Sequence, residues 1–137
     1  GEVWNEEIVA KWGKKLATLG VKNLALADTI GVSNADNISR LFSTLIPAFP
    51  EVEWGAHLHT TPATWREKVE AAYISGCTRF DSAIKGLGGC PMAKDDLVGN
   101  MPTEKLLSFA QEKKLNTRIN PLAFESAYNK ALDIFNF

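Results

Sequence analysis

His57 and His59 are the two histidines of the chain, with one residue between them. On an extended strand, alternate side chains share a face, so both imidazoles project to one side and can close on one metal ion. Asp28 closes the apolar run that begins at Asn23; it is a catalytic or substrate-orienting carboxylate, or a cap for the turn that follows. Cys90 sits in Gly86-Leu87-Gly88-Gly89-Cys90-Pro91, an accessible loop in which a cysteine is a reactive thiol or a small residue in a tight turn. Asn100 offers a side-chain carbonyl suited to a hard or intermediate divalent ion, or it forms a turn with Gly99 before a helix. Cys77 enters a strand among core residues and reads as packing. Asp81, inside the same strand as Arg79, is given no catalytic role.

The elements that must carry these residues alternate. Asn5 caps a helix with Glu6 and Glu7 in its first turn; Ile8, Val9, Trp12, Leu16 and Leu19 follow at helical spacing and Gly20 stops it. A buried-type strand from Asn23 to Ala27 comes next. Ser33 or Asn34 opens a helix bearing Ile38, Leu41, Phe42, Leu45 and Ile46, closed by Pro47 and Pro50. A strand from Glu53 to Leu58 leads to Thr61-Pro62, an N-cap with proline in the first turn. The helix that follows carries Trp65, Val69, Ala72 and Tyr73 on one face and ends at Gly76. A third strand runs from Thr78 to Ile84. Two more helices start near Pro102-Thr103 and at Asn120-Pro121.

Helix alternating with strand at this spacing predicts right-handed βαβ units and a parallel sheet. Ligands then bind beyond the C-terminal strand ends, where Asp28, the two histidines and the glycine loop fall. A closed (β/α)₈ barrel takes about 250 residues and rarely under ~200, so three strands in 137 residues make an open sheet or part of a barrel.

Composition narrows the partners. With 45% hydrophobic and 23% charged residues, the chain has the make-up of one globular domain. A net charge of −1 with mixed signs excludes a basic face for nucleic acid or an anionic membrane. No apolar stretch approaches the ~20 residues that cross a bilayer. The first residues do not read as a secretory signal, and two cysteines are too few for a disulfide scaffold, so the expected compartment is the cytoplasm.

Four segments together resemble the hydroxymethylglutaryl-CoA lyase family. Ile84-Lys85-Gly86-Leu87-Gly88-Gly89-Cys90-Pro91-Met92-Ala93 is similar to its cysteine loop, and Ala27-Asp28-Thr29-Ile30-Gly31-Val32 to its sixth-strand motif. Gly55-Ala56-His57-Leu58-His59 resembles its seventh-strand metal motif, and Gly99-Asn100 with Thr103-Glu104 its downstream asparagine. Motifs in this order, over roughly residues 5 to 125, are far more specific than any one of them. His-x-His alone also admits isopropylmalate and homocitrate synthases, whereas Gly-Gly-Cys-Pro favours the lyase branch.

The resemblance implies an α/β fold, the C-terminal part of a TIM (β/α)₈ barrel, with about three β/α units plus terminal helices. Residues 1–137 are then the C-terminal portion of a lyase domain whose N-terminal barrel half, strands one to five, is absent. It implies Mg²⁺ or Mn²⁺ on His57, His59 and Asn100, with His57 also near the proton transfers, Cys90 as loop acid/base and Asp28 holding the hydroxyl end. The implied reaction is retro-Claisen cleavage of 3-hydroxy-3-methylglutaryl-CoA to acetoacetate and acetyl-CoA in the full-length parent, with the piece alone inactive. The partners expected are an acyl-CoA substrate and either the missing barrel half or another copy of the chain.

Two departures from the family pattern stand out. Thr60 replaces the aspartate that usually follows the second histidine, so that position can orient a ligand but carries no charge. The family's Arg-Asp pair on the first barrel strand has no counterpart. Two other readings stay open: a related aldolase or acyl-CoA condensing enzyme, and a non-catalytic oligomerising domain retaining the site residues as relics.

Overall fold

The computed structural model describes residues 5–88 and 98–135. Helix α1 spans Glu6–Thr18, with the Asn5 side chain accepting a hydrogen bond from the Ile8 amide at 2.9 Å. Strand β1, Asn23–Ala27, leads to α2, Ala35–Ala48, opened by a reciprocal capping box between Asn34 and Asn37. Strand β2 is Glu53–His57 and β3 is His59–Thr60. Helix α3 covers Trp65–Ile74, β4 Arg79–Phe80 and β5 Gly99–Asn100. Helices α4, Thr103–Glu112, and α5, Pro121–Phe135, follow.

Strands β1, β2 and β4 form a parallel sheet in that order. Its register places Ala25 and Arg79 beside Gly55, and Ala27 beside His57. Alternation then turns Trp54, Ala56 and Leu58 toward the helices, and Gly55 and His57 to the other face. The helix-side layer is the core: Ile38, Phe42 and Leu45 of α2 and Val69 and Ala72 of α3 bury against Trp54, Ala56, Leu58 and Cys77, with Met101 and Phe109 completing it. Arg66 forks onto Glu112 at 2.6 and 2.7 Å and Lys113 reaches Glu70 at 2.9 Å, so α3 and α4 are also tied at the surface.

Several expected elements differ in detail. The strand drawn from Glu53 to Leu58 divides, because beyond His57 the chain leaves its parallel neighbours and pairs antiparallel with β5, His59 opposite Asn100. The strand expected from Thr78 to Ile84 is a two-residue ladder. Its last sheet bond runs from Asp81 N to Ala56 O at 3.0 Å, after which Ala83 N turns to Met101 O and a short 3-10 turn covers Ile84–Gly86. Pro47 lies inside α2 and not beyond it; in the last turn it forfeits one intrahelical bond, and the Phe49 amide still reaches Leu45 O at 3.0 Å. Thr61 and Thr64 exchange side-chain and backbone hydrogen bonds in a turn, and the regular helix starts only at Trp65.

Helix α1 does not bury its whole expected stripe. Val9, Ala10 and Ala17 pack on the core, whereas Ile8, Trp12, Leu16 and Leu19 are exposed. The helix rests on the sheet through Gly13, where a Cβ would come within 2.8 Å of the Trp54 indole. Among the described residues β1 pairs only with β2, and beside it opens an apolar cavity of about 550 Å³ lined by Ala25, Ala27, Ile38, Leu41 and Phe42.

Alanine normally strengthens a helix over glycine by about 1 kcal/mol. Gly13→Ala reverses that sign, because its methyl meets a buried ring with no room to retreat. Overpacking of this kind costs about 1–3 kcal/mol. The urea midpoint of unfolding is therefore expected to fall, and a rise would contradict the packing described.

Candidate active site at the strand ends

The ends of β1 and β2, together with β3, β5 and the loop after β4, meet at one end of the sheet. His57 closes β2 and is about 40% exposed at its side chain. Its Nδ1 lies 3.3 Å from Asp81 Oδ2, the carboxylate carried past the end of β4. Parallel register explains the meeting, since Arg79 and Gly55 are neighbours and the residues two further along each strand share the same face. The aspartate to which the sequence assigned no role therefore stands against a site residue.

His59 is only 6% exposed. Its ring centroid is 5.5 Å from that of His57, so the two imidazoles face one another although the strand has divided between them. Two buried side-chain nitrogens find no partner among the described residues: Trp54 Nε1, in the helix-facing core, and His59 Nδ1, at the strand ends. A buried imidazole nitrogen without a partner is costly unless something beyond the described residues satisfies it.

Asn100 is the cross-strand partner of His59. Its Nδ2 donates to Leu87 O at 2.7 Å and also to Gly88 O. Both partners are acceptors, which fixes the nitrogen end of the amide and leaves Oδ1 on the opposite side. The glycines are required here. A Cβ on Gly86 would lie 2.6 Å from Asn100 O, and one on Gly99 2.8 Å from Gly86 O. The glycine loop thus starts in contact with Asn100; Cys90 itself lies outside the described residues.

Asp28 is placed differently from the histidines. Its Oδ1 accepts from Ser33 N at 3.1 Å, and its Oδ2 from Ser33 Oγ and from Lys68 Nζ, the latter at 2.7 Å. Lys68 is 1% exposed, and its ammonium also donates to Gly31 O at 3.0 Å and His59 O at 2.9 Å. Sequence reading missed this lysine, though a signal existed: position 68 falls on the same helical face as Trp65, Val69 and Ala72. Thr60 is buried opposite Gly99.

Residue types here fit a divalent cation in part. Two facing imidazoles, one with an unpartnered nitrogen, and an amide oxygen are suitable donors. Among the described residues no group of three or more His, Cys, Asp or Glu side chains could hold a metal by itself. No helix among them is long and apolar enough to cross a membrane.

Known proteins resemble this chain in sequence and in fold. The chain is 38% identical over 101 residues to hydroxymethylglutaryl-CoA lyase of Pseudomonas mevalonii, covering 74% of this chain and 33% of that protein. It is 31% identical to a 3-hydroxy-3-isohexenylglutaryl-CoA/hydroxymethylglutaryl-CoA lyase of Pseudomonas aeruginosa, covering 87% of this chain and 39% of that one. A crystal structure of an HMG-CoA lyase from Acinetobacter baumannii, in complex with coenzyme A and 3-methylmalate, superposes with a TM-score of 0.83 at 31% identity, over 99% of this chain and 44% of that one. The chain therefore has the α/β architecture of part of a TIM-barrel lyase. It belongs to the HMGL-like family, whose match extends over residues 4–129. It spans about a third of the length of the curated relatives it matches.

Cys77, by contrast, is structural. Burial pushes its thiol from an ordinary 9.0 up to about 11, and the thiol donates to Arg79 O at 3.2 Å. The folded chain keeps this proton where the unfolded chain loses it. The associated stability is complete below pH 9.0 and is lost as pH rises through about 11. With Cys90 replaced by serine, a disulfide reagent at pH 8 is expected to leave the folded chain unlabelled and to label it on unfolding; rapid labelling of the folded chain would contradict this burial.

Proposed function

We propose that the intact lyase containing this chain cleaves 3-hydroxy-3-methylglutaryl-CoA into acetoacetate and acetyl-CoA, with a divalent cation, Mg²⁺ or Mn²⁺, held in part by His57, His59 and Asn100. The observation that carries the reading is the buried His59 Nδ1, without a partner among the described residues, its ring beside that of His57 and lying across the ladder from Asn100. When bound, the cation supplies positive charge to the hydroxyl and carboxylate oxygens of the substrate.

The chain's own residues do the rest. Asp81 holds His57 Nδ1, which orients the ring and leaves Nε2 for the site, the usual way a carboxylate steers a metal-binding imidazole. Asn100 fixes the base of the cysteine loop through Leu87 and Gly88, so the loop and the histidines share one reference point. The hydroxyl proton passes to a water beside His57, and the O–H electron pair forms the C=O bond of acetoacetate as the neighbouring carbon–carbon bond breaks. The electron pair left on the acetyl-CoA carbon is quenched by the Cys90 thiol proton. Asp28, engaged by Lys68 and Ser33, supports the strand end and does not itself exchange protons.

On this reading the rest of the barrel, from the same polypeptide or another, covers the open edge of β1 and its apolar cavity, and the 137-residue chain alone does not turn over. A second reading concerns the substrate. One relative is named for both an isohexenyl and a methyl glutaryl-CoA, and a longer 3-alkyl chain is the chemistry to test here too.

Acetoacetate released from hydroxymethylglutaryl-CoA by the intact protein with Mn²⁺ is the expected outcome, with His57→Asn slowing turnover about 10²–10⁴-fold. Cleavage of only the longer homologue would favour the second reading. No cleavage of either would overturn the lyase assignment.

A further inference from the structure

Lys68 is a buried cation that the proposed chemistry does not use. Its ammonium donates to three acceptors drawn from separate parts of the strand-end layer: the Asp28 carboxylate just past β1, the Gly31 carbonyl in the turn that follows, and the His59 carbonyl in β3. Three donors meet three acceptors, and the residue is 1% exposed, so no proton of this ammonium is left for substrate or solvent. Taking an ammonium out of water is costly, and an apolar residue fits the core-facing position on α3 better for packing alone. What the lysine supplies and an apolar residue lacks is a fixed distance between the β1 turn and the main chain of His59.

That distance matters for the ring. Gly31 sits so close that the position of a Cβ built on it is 3.7 Å from His59 Cβ. The His59 carbonyl is pinned by Lys68 on one side while the residue pairs with Asn100 on the other. With both restrained, the unpartnered Nδ1 is presented in one orientation. We infer that Lys68 is a positioning residue for the cation site: by holding the His59 carbonyl it pre-sets that imidazole, and Asp28 serves to neutralise the lysine. The inference rests on the metal-lyase reading, and the experiment separates the two.

In the intact lyase followed by nitrogen NMR, the Lys68 ammonium protons are expected to be protected from solvent exchange before any cation is added, and Mg²⁺ titration is expected to move the His59 ring resonances while that protection persists. Lys68 protons that exchange freely in the metal-free protein overturn the positioning role; histidine signals that do not move at all overturn the metal reading instead. Variants supply the affinity. Asp28→Asn leaves the ammonium buried without its counter-charge and is expected to lower the unfolding midpoint, but because it keeps the lysine-to-carbonyl bond the folded variant is expected to bind Mn²⁺ within about threefold of the unmodified protein, measured by paramagnetic resonance of free Mn²⁺. The double variant Lys68→Met with Asp28→Asn removes both charges together and leaves neither buried alone. It is expected to weaken Mn²⁺ binding about 10–100-fold, the range for partners that orient a metal ligand. A folded double variant that binds Mn²⁺ like the unmodified protein overturns the inference, as does an equal loss from Asp28→Asn alone. Should the double variant not fold, the NMR titration of the unmodified protein decides by itself.

Discussion

An ammonium group offers three protons in a fixed tetrahedral arrangement, and in this chain all three of Lys68 are spent inside the protein. Around them the loop after β1 and the start of β3 acquire a common origin. Removing the lysine alone would leave the Asp28 carboxylate stranded in a nearly dry environment, and losing one partner of a buried pair typically costs about 3–5 kcal/mol. The turn from Asp28 to Ser33, the start of α2 and the approach of His59 therefore stand or fall together. Helix α3 is as much a bracket for the strand ends as a cover for the sheet.

The second constraint is parallel register. Because β1, β2 and β4 run the same way, everything past their ends gathers on one side, and residues as distant in sequence as His57 and Asp81 meet there without any local motif. The antiparallel β3–β5 pair then sits over this edge and brings in Asn100 from beyond the glycine loop. A scaffold that fixes the bases of several loops lets their tips vary, which is why barrels of this kind concentrate chemistry at one rim.

Much of this was legible in the residues. The caps at Asn5 and Asn120 hold as read, and of Ser33 and Asn34 it is Asn34 that caps α2, because a short polar side chain beside an apolar run has few better uses than the free amides of a helix start. The two histidine rings lie 5.5 Å apart, although the single strand expected to carry both divides between them. What was hidden depended on tertiary context. Asp81 looked like a polar residue in a strand until register set it beside His57. Lys68 went unremarked between Glu67 and Val69, although its helical phase places it on the buried face. The apolar spacing of α1, Ile8 to Leu19, does not tell which residues pack: Val9 meets the core while Ile8, Trp12, Leu16 and Leu19 are exposed. Periodicity reveals that a helix has an apolar side; it does not reveal which of two neighbours that side meets, and here the smaller Gly13 face lies on Trp54.

The glycine contacts at the root of the cysteine loop carry a consequence for how such a protein can change. Gly86 and Gly99 leave no space between their backbones for a methyl group. A side chain at either glycine would have to push apart the main chain that carries Asn100, so this root is a point at which the protein is unable to vary without moving its own site, however freely more open positions change.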